Sequence, residues 1–583
     1  MPILIRRLLS LAAVLTLSVR AAPPADAPAL PLDELRPGAK GEVWTVFRGT
    51  EPEPFGVIVT GVLQNALGPG KSLIVCELTD PRVQNMGAVA GMSGSPLYVD
   101  GRLAGALSYQ IQRFETVRHA GFTPVADLEE VKAKTGPGLA SNHLPAPAET
   151  SAQGYQPLRP VFSLGGLNPV VADLLAPHLR ALGLDVSAIG GSTQSGGGGS
   201  TPGGAVTKLV PGGAVAVALA TGDITLAGTG TVSRLQGDRV TAFGHPMLGL
   251  GEVALPMCAT EILTILPSQM QSLKIANTGR VIGTISQDRL SAVSGTLGAG
   301  PAMIDVAVTV RPSQGAPREL RFAVLRHPQL TPVITATGLS QAILGSNEHG
   351  FTQGFRIRTG ITYSPRERLD YHTIHAGPSG FAQGLSEFIT GLAGNLQNPY
   401  ERTFPTSVSF TVEPLAENPT VVIEQFRLSR SQAAAGERVQ ATVSWRNWQG
   451  TTEREVIDLP IDAAWAGRQL EVILAPGRML DELTGRPRLI AAAELRSFEA
   501  YLAALRDDRP ADGVSLAIVQ RAAVFSDQTA GTPEIPGSIE RIARGADDAR
   551  YRRRDAILPL WEQHLLPGRL VNAVIRRPLL VLD

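Results

Sequence analysis

The hexapeptide Gly91-Met92-Ser93-Gly94-Ser95-Pro96 is the segment of this chain best suited to chemistry. Glycines on both sides of a serine allow a tight, partly strained turn that lifts the hydroxyl clear of the backbone. The same turn can aim the amide hydrogens of Gly91 and Ser93 at one point. Two such donors stabilise the oxyanion of acyl transfer, and losing one costs about 3 kcal/mol of barrier. From its six residues alone the segment reads equally well as a Gly/Ser turn joining two strands. A nucleophilic serine also needs a base, and no histidine precedes Ser93, so the base must come from downstream. His245 sits in Phe243-Gly244-His245-Pro246, where glycine and proline fix an imidazole at the end of an apolar strand. His119, His143 and His178 have no such frame. An imidazole, which ordinarily titrates near 6.5, can take the serine proton at neutral pH. The competing reading of His245 is a turn histidine satisfied by backbone bonds.

The segments around these residues read as strands. Val43-Trp-Thr-Val-Phe, Phe55 to Leu63 and Ser72 to Leu78 are short β-branched runs broken by Gly and Pro, and Asp100-Gly101 is a two-residue hairpin turn. Strands return from Val206 to about Leu325, including Ala214 to Ala220, Ile224 to Leu235 and Met303 to Val310. Between the two blocks lie a helical pattern at Pro169 to Leu182 and a Gly/Ser-rich tether.

The hexapeptide, together with Phe243-Gly-His-Pro246, resembles the SpoIVB-type serine peptidases of bacterial sporulation, members of the chymotrypsin-like clan. The resemblance runs through Val43-Trp-Thr-Val-Phe-Arg-Gly-Thr50, Thr79-Asp80-Pro81 and Gly101-Arg-Leu-Ala-Gly-Ala106 to Gly121-Phe-Thr-Pro-Val125. It resumes at Gly222-Asp-Ile and Gly228-Thr-Gly-Thr-Val232, and continues through Asp238-Arg-Val-Thr-Ala-Phe-Gly-His-Pro246 to Gln287-Asp288-Arg289. It implies a chymotrypsin-like double β-barrel with Ser93 as nucleophile, His245 as base and Asp80 as the third catalytic member. Asp80 before Pro81 is also an ordinary turn opener, with Asp288 and Asp238 as substitutes for the third role. The chain departs from the family in order, since its histidine block follows the serine block as if permuted. A triad is defined by geometry, and geometry allows this. Met92 stands where many chymotrypsin-like enzymes carry an aspartate that pairs with a newly cut N-terminus, so any latency must be controlled in another way.

The expected organisation is a signal peptide (1–21), a serine-bearing β domain (31–140), a connecting segment with a helix (141–189), a Gly/Ser linker (190–204) and a histidine-bearing β domain (205–330). A β-rich extension (331–415), an immunoglobulin-like sandwich (419–480) and a mixed α/β tail (481–583) follow. Arg6-Arg7, the apolar stretch Leu8 to Val19 and Val19-Arg20-Ala21 make a cleavable leader, implying an exported protein, periplasmic or secreted, with no span left after cleavage. With 52 basic and 52 acidic residues, no global field draws the chain to nucleic acid or an anionic membrane. Many glycines and prolines with 5% aromatics fit a turn-rich, mainly β protein. Cys76 and Cys258 are open to pairing or to burial as free thiols. Asp370, His372 and His375 lack a further ligand at metal spacing, so no metal and no cofactor is expected. The reading is an exported serine endopeptidase acting through an acyl-enzyme on protein or peptide substrates; the resemblance implies that such an enzyme can be regulatory or can cleave itself. The alternative is an inactive peptidase fold serving as an envelope binding or scaffold module.

Overall fold

The computed structural model describes residues 23–583 except positions 25, 112–115, 134–154, 159–161, 185, 188–190, 193–207, 269–271, 313–314, 346–352, 365–366, 485–496, 527–530, 534–537 and 540–551. The expected leader and the tether, apart from Gly191 and Ser192, lie outside the described residues.

Six strands build the first barrel: β1 (Lys40–Thr45), β2 (Glu53–Gly68), β3 (Lys71–Leu78), β4 (Pro96–Val99), β5 (Arg102–Ile111) and β6 (His119–Pro124). They pair in the order β4-β1-β2-β3-β6-β5, and β5 returns to β4 to close the ring. Period-two alternation drives this. Phe55, Val57 and Val59 point into the core while Gly56, Ile58 and Thr60 do not. Ile74, Cys76, Leu78, Leu97 and Phe122 complete the filling. The Asp100-Gly101 turn has φ of 49° and 74°, as a two-residue hairpin between right-twisted strands requires.

The second barrel repeats the plan with β7 (Ala214–Gly222), β8 (Thr225–Gln236), β9 (Arg239–Ala242), β10 (Gly251–Leu266), β11 (Leu273–Arg289) and β12 (Ala292–Leu297). The order β7-β10-β11-β12-β9-β8 closes through β7–β8 pairing. The fold is therefore mainly β, with the double barrel that the resemblance implies. The sheet continues from β7 into strands 318–324, 304–310, 407–414, 355–364 and 367–375. Helices Leu330–Leu344 and Gly377–Leu396 cover it, so residues 331–415 bring helices as well as strands. A helix also forms at Pro169–Ala181, capped by Asn168.

The C-terminal sandwich packs Thr420–Leu428, Arg438–Asn447 and Thr452–Pro460 against a second sheet of Gln469–Ala475, Val514–Ser526, Arg552–Leu565 and Ile575–Leu582. Phe426, Val443, Leu459, Val472, Leu516 and Leu579 share one core. The sandwich thus draws most of its second sheet from the tail after residue 480. Cys76 and Cys258 are buried, free and in different barrels, and burial pushes each thiol up to about 12. No helix among the described residues is long and apolar enough to cross a membrane.

The barrels meet backbone to backbone. A Cβ on Gly94 would lie 2.1 Å from the Thr231 carbonyl oxygen and 2.4 Å from the Phe243 nitrogen. The hairpin of β10 and β11 reaches across as an arm: Gly49 and Ile262 exchange backbone bonds of 2.7 and 2.9 Å, and the Ser272 hydroxyl donates to the Met86 carbonyl at 2.7 Å. Gly94→Ala is expected to destabilise the protein by about 3 kcal/mol or more, because neither flanking backbone can move aside. Gly101→Ala, also at positive φ but with nothing near its Cβ position, is expected to cost about 1 kcal/mol. Equal losses for the two in urea unfolding contradict the close docking of the barrels.

Candidate active site

Ser93 sits in the turn between α1 (Pro81–Met86) and β4. Gly91 and Gly94 on either side take φ of 96° and 95°. The amide of Met92 donates to Val89 O (2.9 Å), that of Gly94 to Leu107 O (2.7 Å) and that of Ser95 to Met92 O (3.0 Å). The Ser95 hydroxyl binds the same Met92 carbonyl at 2.6 Å. By contrast, the amides of Gly91 and Ser93 donate to no described residue. Ser93 is fully buried, and its hydroxyl makes no hydrogen bond to any described residue. Buried hydroxyls are normally paired; those of Ser233, Thr278, Thr335 and Ser515 also find no described partner, and what marks Ser93 is its place beside two uncommitted amides on a glycine-framed turn.

One threonine joins this turn to the histidine segment. The Thr231 hydroxyl donates to Gly91 O at 3.0 Å and its amide to Ser93 O at 2.8 Å, while its carbonyl accepts from Phe243 N at 3.2 Å. Phe243 has a φ of 72°, rare for a bulky residue, and Gly244 follows at 67°. From the first barrel, the Thr123 hydroxyl donates to the Gly244 carbonyl at 2.6 Å. His245 is thereby held at the junction, fully buried, with its ring edge-on to Phe243 at 6.2 Å. Its Nδ1 lies 2.8 Å from the Pro246 carbonyl. A carbonyl only accepts, so Nδ1 carries the proton and Nε2 is the basic nitrogen.

Asp80 is placed elsewhere, which corrects the expectation that it completes a triad. It caps α1 by accepting from Arg82 N at 2.8 Å, and its carboxylate also takes the Arg82 guanidinium. That guanidinium holds the Asp80 carboxyl below its usual range. Its strand ends where Leu78 bonds to Arg118, whereas Gly244 is tied to Thr123. At about 3.4 Å per residue along β6, the two ends are roughly 17 Å apart. Asp238 is exposed at the β8–β9 turn, remote from the ring by the length of β9. Asp288 is fully buried, but its carboxylate accepts from the amides of Met247 (2.7 Å), Leu248 (2.8 Å) and Leu250 (3.3 Å), cradling the loop that follows His245. Burial pushes its carboxyl up, against those amides, which favour the charged form. The place of a triad aspartate at Nδ1 is thus taken by the Pro246 carbonyl.

Residues 30–115 match the SpoIVB peptidase S55 family. Over those residues the serine-bearing barrel is similar to SpoIVB-type peptidases. The match spans the hexapeptide and ends before His245, and no curated protein or solved structure matches the chain. In the rest of the molecule, Asp370, His372 and His375 turn to separate partners, Arg368, Asp512 and Thr373. Among the described residues no group of three His, Cys, Asp or Glu side chains could hold a metal ion.

Thr123, Thr231, Asp288 as a loop anchor and Lys274 are the site residues that spacing does not disclose. Lys274 on β11 is buried; its amide donates to Ala90 O at 3.0 Å and its Nζ to the Thr45 hydroxyl at 2.8 Å. Burial alone pushes the amine down to about 7. The unfolded chain, near 10.5, then holds this proton between pH 7 and about 10.5 while the folded one does not. Stability should therefore rise with pH across that window, by on the order of 4 kcal/mol, and be insensitive to this group below pH 7. Urea unfolding of wild type and Lys274→Met at pH 7 and 9.5 checks this: the variant should lose the rise. Asp288→Asn, which leaves part of the amide cradle without an acceptor, should cost about 2–3 kcal/mol in the same assay; an unchanged midpoint contradicts the anchoring role.

Proposed function

We propose that this protein is an exported serine endopeptidase that acts through an acyl-enzyme, with Ser93 as nucleophile, His245 as general base and the amides of Gly91 and Ser93 as the oxyanion hole. The observation that carries the reading is the orphan Ser93 hydroxyl between two uncommitted amides, on a turn packed against the segment that bears His245. In this mechanism Nε2 of His245 takes the hydroxyl proton as Oγ attacks the scissile carbonyl, and returns it to the leaving amine. The Pro246 carbonyl fixes the tautomer from the Nδ1 side, a neutral substitute for a carboxylate that gives the imidazolium less electrostatic support. Substrates are proteins or peptides, and the SpoIVB-type resemblance supports a regulatory role with self-cleavage. Export rests on the leader at 1–21.

The complete burial of Ser93 and His245 favours a second reading, a peptidase fold that serves as a scaffold without turnover. Under the first reading the same burial means that the cleft opens before substrate enters.

A fluorophosphonate probe separates the two. The mature protein should label, Ser93→Ala should abolish labelling, and His245→Ala should slow it by about 100-fold or more. Asp80→Ala should change the rate less than about twofold, in keeping with its place at the cap of α1. No labelling of correctly folded wild type decides for the scaffold.

A further inference from the structure

The nucleophile turn has a neighbour that the mechanism above does not use. The stem of Lys274 runs directly beneath Gly91: a Cβ at Gly91 would lie 3.1, 3.3 and 3.2 Å from Cβ, Cγ and Cδ of the lysine. The backbones are locked there too, since Ala90 donates to Ser272 O at 2.9 Å and accepts from Lys274 N at 3.0 Å. Beyond Cδ only two bonds remain to Nζ, so the amine sits within about 7 Å of the Gly91 α-carbon. Its hydrogen-bond partner is Thr45 on β1, in the core where the two barrels meet. Against Lys274 lie Thr45 of β1 at the amine, Gly91 of the turn along the stem, and Ala90 and the cross-strand Ile265 of β10 at the backbone. None of them titrates, and no described carboxylate pairs with the amine.

Packing does not account for a lysine here. A methionine fills the same volume without the cost of burying an amine against one acceptor. We propose that Lys274 is a positioning residue of the peptidase: its stem braces Gly91, and its amine, held by Thr45, sets a switchable positive charge behind the amide that receives the oxyanion. The inference rests on the reading of Ser93 as nucleophile. Because burial brings the amine down to about 7, the charge is present in mildly acidic solution and absent in alkaline solution. A unit charge within roughly 7–11 Å of an oxyanion held at that amide, at an effective dielectric near 20, is worth roughly tenfold or more in rate. Activity then gains a descending limb near neutral pH that comes from Lys274 and not from the histidine, whose requirement to be neutral produces an ascending one.

The test is the second-order rate constant for fluorophosphonate labelling, measured from pH 5.5 to 9.5 on the mature full-length protein. Each variant is first checked for wild-type circular dichroism. Wild type should show a bell whose descending limb has its midpoint near pH 7. Lys274→Met should be about tenfold slower at pH 6 and lack the descending limb. Lys274→Arg, always charged, should keep the fast rate to pH 9. Thr45→Val, which removes the amine's acceptor, should move the descending limb to lower pH by about one unit, and it carries the test if Lys274→Met does not fold. An unchanged limb in Lys274→Met, or in Thr45→Val where that variant stands in, overturns the role of Lys274 while leaving the peptidase reading intact. Absence of labelling in wild type overturns both.

Discussion

The functional reading depends on a main-chain contact that leaves no room for a side chain. Gly94 packs against the carbonyl of Thr231 and the nitrogen of Phe243, so two separately closed barrels touch through backbone at the point where Ser93 and His245 belong. Thr231 uses its amide, hydroxyl and carbonyl there, two of them on the serine turn and one on the histidine strand. Such contacts define position more narrowly than side-chain packing does, because a peptide group cannot change rotamer. The positive φ of Phe243 follows from the same constraint: the chain must turn sharply after meeting Thr231 in order to present the next residues to Thr123.

The arrangement also accounts for the order of the two blocks along the chain. Each barrel closes on itself from contiguous sequence, the first within residues 40–124 and the second within 214–297. Neither ring needs the other in order to close, so the site depends on how the closed barrels dock and not on which is made first. The arm of β10 and β11 supplies much of that docking, with Ile265 packing against the core of the first barrel.

Much of this was legible in the sequence. Glycine-framed Ser93 and Gly/Pro-framed His245 are read from local backbone demands, and the β character follows from two-residue alternation and turn residues. Asp80 misleads because one short pattern, aspartate before proline, serves both a catalytic reading and a helix cap, and the Arg82 two residues later decides for the cap. Lys274 and Asp288 carry no local signature, since each acts on a loop from another strand and only folding brings them there. Helix Leu330–Leu344 escapes a periodicity reading because it is buried on nearly every side and rich in β-branched residues. The sandwich extends past its expected limit because its second sheet recruits strands from as far as Leu582, which pairs with Ala434.

The long span between partners has a consequence for synthesis. Gly91 and the threonine that fastens it are 140 residues apart, and Lys274 comes later still. At about 5–20 residues per second, a growing chain carries its completed first barrel for roughly 5 to 30 seconds before those partners emerge. During that interval the serine turn lacks its braces, and no histidine has been joined to it. On the proposed reading, a growing chain of this design has no complete site until the second barrel has closed.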